Sequence, residues 1–421
     1  MLKVLALASL ALAAVPSIHA QAVSDSTPFT GKWQAEITAV RPGGSDPYQV
    51  PFAIEIAKAQ NGGISADLVN GSDRMHFSSA VLSGIDLTLR LEQYDATLTA
   101  RCSEGKRICT RMEGEYTRQK GSSAVRYAVA LRRLHPEATA EKGALAADWQ
   151  FQFTNADSTP VREASAPAHF KLAAGQVEGT IAPISGDYGL MAGRLENGEL
   201  HLSRFDGIHL LRLDGHLTAP DRLEGVLHEA PGTALRFTAT TSNAASGFDE
   251  AESITTVADP QAPFRFQGID ETGAVVNQDD ARFRGKVLFL DIFGTWCPNC
   301  HDEAPVLQAL REKFHARGFE VVGLSYEYVD DRARNLHLID VYRKKYGITF
   351  PLLWMGTTGE GEIARTLPQL RNFGAYPTGI FLDRHGRVRV IHAGFSGPAT
   401  GRLEELRLHF EQMIERLLNE P

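Results

Sequence analysis

The sequence predicts a multidomain chain in which an all-β tandem repeat, built as barrel or sandwich modules, precedes an α/β domain. Three observations predict it. The chain has 421 residues, more than one ordinary domain of ~100–200 residues holds. Residues 28–135 and 144–240 are dominated by short runs in which apolar and polar side chains alternate. From Lys286 that pattern gives way to a nearly continuous apolar run followed by a helical stretch.

The N-terminus comes first in order. Lys3 supplies a positive start, residues 4–15 form a short apolar run, and residues 16–20 end in Ala20 before Gln21. This is the pattern of a secretory signal peptide over residues 1–20, and a run of about twelve apolar residues is short of the ~20 needed to span a bilayer. No other segment is long and apolar enough to span, and no cysteine lies near the cleavage site to carry a lipid. The mature chain is therefore expected to be soluble, exported to the periplasm and without an integral membrane segment. A net charge of −8 and the lack of a long Lys/Arg run give no electrostatic reason to expect nucleic acid as a partner. An oxidising compartment favours paired thiols, and the four cysteines, Cys102, Cys109, Cys297 and Cys300, fall into two close pairs.

The β-rich modules span 21–135 and 144–241. Runs such as Asp86-Leu87-Thr88-Leu89-Arg90-Leu91 and Glu199-Leu200-His201-Leu202-Ser203 have the period of half-buried strands, with Gly and Asn marking the turns. The modules also resemble each other: Trp33-Gln34 recurs as Trp149-Gln150, residues 73–84 match 187–198, and Tyr94-Asp95 through Gly114 matches Phe205-Asp206 through Gly225. The spacing within each block is equal, which is the mark of an internal duplication. Alternation does not reveal closure, so two separate modules and one larger barrel both satisfy it. Gly31-Lys32-Trp33 resembles the Gly-x-Trp opening of lipocalins, but the second copy has Ala147-Asp148-Trp149, and a core tryptophan is the preferred reading. Cys102 and Cys109 flank a turn-forming stretch, which favours a structural disulfide over an auxiliary redox pair. The second copy has Leu213 and Pro220 at those places, so the bridge is not intrinsic to the module.

Residues 242–258 lack a periodic apolar face and read as a linker, and the next domain occupies 259–421. There, residues 287–293 form an apolar run of strand length, as a buried strand of an α/β sheet should. Gly294-Thr295-Trp296-Cys297-Pro298-Asn299-Cys300 follows, then a helical stretch to about residue 316. Cys297 falls at the helix start with Pro298 in the first turn, where free backbone N–H groups and the helix dipole stabilise a thiolate. Cys300 shares a face with Ala304, Leu307 and Phe314 and is expected to be more sheltered. An accessible attacking sulfur beside a sheltered resolving one is what disulfide exchange requires. Half a zinc site is the competing reading of Cys-x-x-Cys, but the other cysteines sit in another module and no nearby His pair completes four ligands, so no metal is expected. Gly359-Glu360-Gly361-Glu362-Ile363-Ala364 fits a dinucleotide-binding pattern, yet its two glutamates would repel a pyrophosphate, and no cofactor is expected.

Residues 259–421 resemble the TlpA/ResA branch of thioredoxin-like proteins, exported reductases of other proteins' disulfides. The resemblance rests on Trp296 to Cys300 after the buried strand, Glu303 three residues past the second cysteine, and Pro305 where thioredoxins kink this helix. It also rests on an added helix over 330–346 before Phe350-Pro351-Leu352-Leu353, and on Tyr376-Pro377-Thr378 followed by a hairpin, which matches the cis-proline loop. The resemblance implies an α/β thioredoxin-like fold and assigns roles. Cys297 attacks, Cys300 resolves, and Trp296, Tyr376 and Pro377 lie against an extended substrate strand. Glu303 and Asp291 move the proton of Cys300, since a buried carboxylate with a raised pKa serves as acid or base near neutrality. Asp291 matches the buried acid of thioredoxin, where this branch more often has an amide. The Pro298-Asn299 dipeptide departs from the branch's frequent proline before the second cysteine and lacks the histidine of strong oxidants such as DsbA.

The expected function is an exported thiol–disulfide oxidoreductase reducing disulfides of envelope proteins, with cytochrome c maturation suggested by the resemblance. A membrane electron donor of the DsbD/CcdA type is implied as partner. A disulfide oxidase or isomerase, and a redox-regulated envelope binding protein whose β-modules hold a partner or ligand, are the alternatives.

Overall fold

The alternating runs of the first repeat pair into an antiparallel nine-stranded sheet that begins with Gly31–Val40 and ends with Ser123–Arg133. The computed structural model describes residues 28–40, 47–105, 107–120, 123–134, 144–230, 233–242, 248 and 250–420. The expected signal peptide lies outside these residues, as do 243–247 and 249 of the expected linker 242–258; the rest of that stretch is not a bare linker, since it holds the short helix Ala251–Ile254 and pairs Thr256–Val257 with Leu370–Arg371 of the C-terminal domain. Gly31–Val40 pairs with both Pro47–Lys58 and Ser123–Arg133, so the sheet curls around a core whose largest member is the fully buried Trp33. The Trp33 indole N–H donates to Phe29 O at 2.9 Å, and the Arg133 guanidinium lies 4.6 Å over its ring.

The second repeat is a separate, closed eight-stranded barrel running from Asp148–Asn155 to Thr233–Thr241. It closes because Gln176–Ile181 pairs directly with Met191–Glu196, whereas the first copy places Asp73–His76 and Ser79–Ser83 at the two ends of its sheet. The barrel is filled by its own side chains, among them Trp149, Phe151 and Phe170. Two β-modules, not one larger barrel, therefore satisfy the alternation.

The modules are not independent. Phe205, Ile208 and Leu210 of the second barrel belong to the core of the first, with Phe205 packed 4.7 Å from Phe52 and 5.0 Å from Tyr116. Polar contacts fix the seam: Asn70 Nδ2 donates to Phe205 O at 2.9 Å, Phe205 N–H donates back to Asn70 Oδ1 at 3.2 Å, and Arg204 pairs with Asp73 at 3.0 Å.

The C-terminal domain is built on a seven-stranded mixed sheet. Its centre is the fully buried strand Val287–Phe293, parallel to Phe319–Glu327 on one side and antiparallel to Thr378–Leu382 on the other. Buried on both faces, these strands are apolar nearly throughout, unlike the alternating strands upstream. Helices Pro298–Phe314, Arg332–Tyr346 and Leu403–Asn419 accompany the sheet. Among the described residues no helix is long and apolar enough to cross a membrane.

Candidate active site

The site is built where the buried strand Val287–Phe293 ends and the helix Pro298–Phe314 begins. Cys297 is the residue that caps this helix. Its sulfur accepts the Cys300 backbone N–H at 3.2 Å, with Pro298 in the first turn. Cys297 and Cys300 are bonded to each other, so the structure holds the oxidised pair. On reduction the same N–H and the helix dipole favour negative charge on the Cys297 sulfur.

The connecting loop is held from below. Glu327, a buried acid at the end of its strand, accepts the Thr295 N–H at 3.0 Å, the Thr295 hydroxyl at 2.8 Å and the Ser325 hydroxyl at 2.6 Å. The Trp296 indole N–H donates to Tyr326 O at 2.9 Å while its ring stacks on Tyr328 and meets Tyr376 edge-on. Tyr376–Pro377 is a cis peptide bond, and Pro377 O accepts the Gly394 N–H at 2.8 Å.

Behind the pair, Asp291 in the central strand and Glu303 on the buried helix face are both buried, each with one carboxyl oxygen that has no hydrogen-bond partner in the structure. Burial pushes both carboxyl groups above the ordinary carboxylate range, and the Asp291 charge pushes Glu303 further. The pair therefore retains a proton near neutral pH. Tyr342 lies close by, its hydroxyl donating to Cys300 O at 2.6 Å.

One expectation is corrected. Cys297 was expected to be the accessible sulfur, but it is only 3% exposed, against 0% for Cys300. The physical reason is docking of the β-modules onto this face. Trp296 packs against the core of the first module as well as that of its own domain, and Tyr94 of the first module sets its ring edge-on to His301 at 5.1 Å. Gly186 of the second barrel lies so close to Asn299 that a side-chain carbon there would stand 2.1 Å from Asn299 Nδ2. Cys102 and Cys109 are also bonded to each other, within the first module and outside the cluster around Cys297.

With this geometry in view, comparison with known proteins identifies the C-terminal part: the AhpC/TSA family matches residues 258–391. Residues 258–391 form an AhpC/TSA-family domain. Within it the chain is 30% identical over 106 residues to the thiol-disulfide oxidoreductase ResA of Bacillus thuringiensis subsp. konkukian, covering 25% of this chain and 54% of that protein. It is 30% identical over 139 residues to the thiol:disulfide interchange protein DsbE of Escherichia coli K12, covering 33% and 66%. The matches span between about half and two thirds of these relatives. Among solved structures, a putative DsbE from Chlorobium tepidum is 23% identical, covers 37% of this chain and 94% of its own, and has a TM-score of 0.29.

The AhpC/TSA-family domain also contains residues that sequence reasoning passed over. His301 directly follows the second cysteine. Burial and the Lys345 charge push its pKa well down, leaving a neutral ring that bonds Thr295 O at 2.8 Å and the Tyr346 hydroxyl at 2.9 Å. Glu327 was legible as an acid ending an apolar strand. Asp302, its pKa pushed up to about 7 by burial and by Asp187, had no sequence signal, because Asp187 belongs to another module.

Proposed function

We propose that the chain is an exported thiol–disulfide oxidoreductase that reduces disulfides of envelope proteins through Cys297 and Cys300. The observation that carries this reading is Cys297 at a helix start, its sulfur accepting the Cys300 N–H, in the domain that also holds the cis Tyr376–Pro377 bond. The names of the ResA and DsbE relatives support the chemistry.

In the reduced protein, the Cys297 thiolate attacks one sulfur of a substrate disulfide, forming a mixed disulfide and releasing the other substrate sulfur as a thiolate. Cys300, its proton taken by the Asp291/Glu303 pair, attacks the Cys297 sulfur. The Cys297–Cys300 bond forms, the second substrate sulfur leaves, and two electrons have passed from the dithiol to the substrate. Trp296, Tyr376 and Pro377 flank the extended substrate segment. The oxidised pair then needs a dithiol donor, for which a membrane protein of the DsbD/CcdA type in the periplasm is the proposed partner.

Full-length protein carrying Cys297→Ser should lose reduction of insulin disulfides, and retained activity would overturn the assignment. Equilibration in dithiothreitol buffers sets the direction. A potential near or below about −270 mV supports a reductase, whereas one near about −120 mV makes the protein an oxidant.

A further inference from the structure

Disulfide exchange at Cys297 requires a second sulfur to reach it, yet the face around it is occupied by the chain itself. Residues 184–189 of the second barrel lie along residues 394–397, backbone against backbone. Asp187 N–H donates to Phe395 O at 3.4 Å, Gly397 N–H donates to Asp187 Oδ2 at 2.7 Å, and a side-chain carbon on Gly394 would stand 2.3 Å from Ile184 O. Gly394 is the residue bonded to Pro377 O, and Gly186 presses on Asn299 between the two cysteines. The segment, a turn closed by the Gly186 N–H donating to Pro183 O at 3.1 Å and the irregular stretch after it, thus lies beside the redox pair and the cis-proline loop, on the face where a substrate peptide would have to approach. Glu163 of its own barrel holds it there, accepting Ser185 N–H at 2.9 Å and Ser185 Oγ–H at 2.7 Å.

The first module clamps the other side. Asp95 pairs with Arg334 at 2.9 Å beside the Tyr94–His301 contact. Elsewhere the closed arrangement buries groups that water would serve better, at the seam between the two β-modules and where the second barrel meets the C-terminal domain. Arg118 is 4% exposed beneath Ile208, with its Nε and Nη1 lacking hydrogen-bond partners in the structure, and the Asp187 and Asp302 carboxylates converge on Gly397. Each of these groups costs the closed arrangement free energy that solvation on separation would return.

We propose that this face has two alternating occupants: residues 184–189 of the chain, and an extended segment of the disulfide-bearing substrate protein. The β-modules form a reversible cover that must lift before Cys297 reacts. The inference rests on the exchange reading above.

The test uses the full chain and follows reduction of the Cys297–Cys300 bond by dithiothreitol, read by alkylation and mass spectrometry, alongside reduction of insulin. Asp95→Arg breaks the clamp and should speed reduction by about tenfold, in proportion to the open fraction, while Asp95→Arg with Arg334→Asp should return it to the wild-type rate. Gly186→Arg drives a side chain into Asn299 and should speed it independently of the clamp. Equal rates for the wild type, Asp95→Arg and Gly186→Arg overturn the cover. Faster dithiothreitol reduction in the variants without any reduction of insulin keeps the cover and overturns the proposed function instead.

Discussion

Asp187 accepts the Gly397 N–H at 2.7 Å, tying the second β-barrel to the domain that carries the cysteine pair. By the internal repeat, Asp187 corresponds to Asp73, and Asp73 pairs with Arg204 of the second barrel. Tyr94-Asp95 and Phe205-Asp206 are likewise equivalent: the first docks on His301 and Arg334, the second enters the core of the first module. Each copy therefore uses the same two points to hold a different neighbour, and the duplication has become the means by which three bodies close on one face.

Docking should weaken as pH rises. Asp302 is pushed up to about 7 by burial and by Asp187, with Asp73, Asp206, Arg204 and Lys345 as the other charges around it. An acid with a raised pKa in the docked state favours docking fully below its ordinary value near 3.8, and the favour is lost as pH climbs through about 7. Dithiothreitol reduction of the wild type, corrected for thiolate fraction, should accelerate between pH 5 and 8 by about tenfold, and Asp302→Asn should flatten the profile. An unchanged profile in the variant would contradict this.

The buried Asp291/Glu303 pair has the same sign. Both pKa values are raised by burial, so the folded protein holds protons that the unfolded chain releases, and stability falls as pH rises from about 4 toward 8. Asp291→Asn should be more stable than wild type at pH 8 by about 2 kcal/mol and gain little at pH 4, measured by urea unfolding. Glu303→Gln should slow the Cys300 step, so that trapped mixed disulfide accumulates.

Arg118→Met replaces an incompletely bonded buried guanidinium with an apolar side chain of similar length. It should stabilise the docked protein by about 1–2 kcal/mol and slow reduction of the Cys297–Cys300 bond. Faster reduction would show that Arg118 instead holds the interface together.

The Cys102–Cys109 bond joins residues seven positions apart, and its loss should cost the first module about 2–3 kcal/mol on the loop-entropy account. The Cys102→Ala, Cys109→Ala protein should still reduce insulin at the wild-type rate. Loss of turnover without loss of stability would make this pair part of the electron route.

Period-two alternation placed the strands of both repeats, because one face of each strand meets a core and the other does not. The strand–cysteine–helix order was legible for the same local reason: a continuous apolar run is a strand buried on both faces, and Pro298 fits the first turn of a helix. The accessibility of Cys297 was misread because it depends on Gly186, Tyr94 and the first module's core, over 100 positions upstream in sequence. The closure of the second barrel against the open edges of the first was not legible either, since alternation is the same in both.

By itself the sequence determined what repeats locally or lies within a few residues: the alternating strands, their duplication, the helix-capping cysteine and its partner one turn on. Only the tertiary structure decided how exposed that cysteine is, which carboxyl groups keep their protons and which copy of the repeat docks where. Solvent access and charge burial are set by whatever packs against a group from elsewhere in the chain, and no local pattern carries that information.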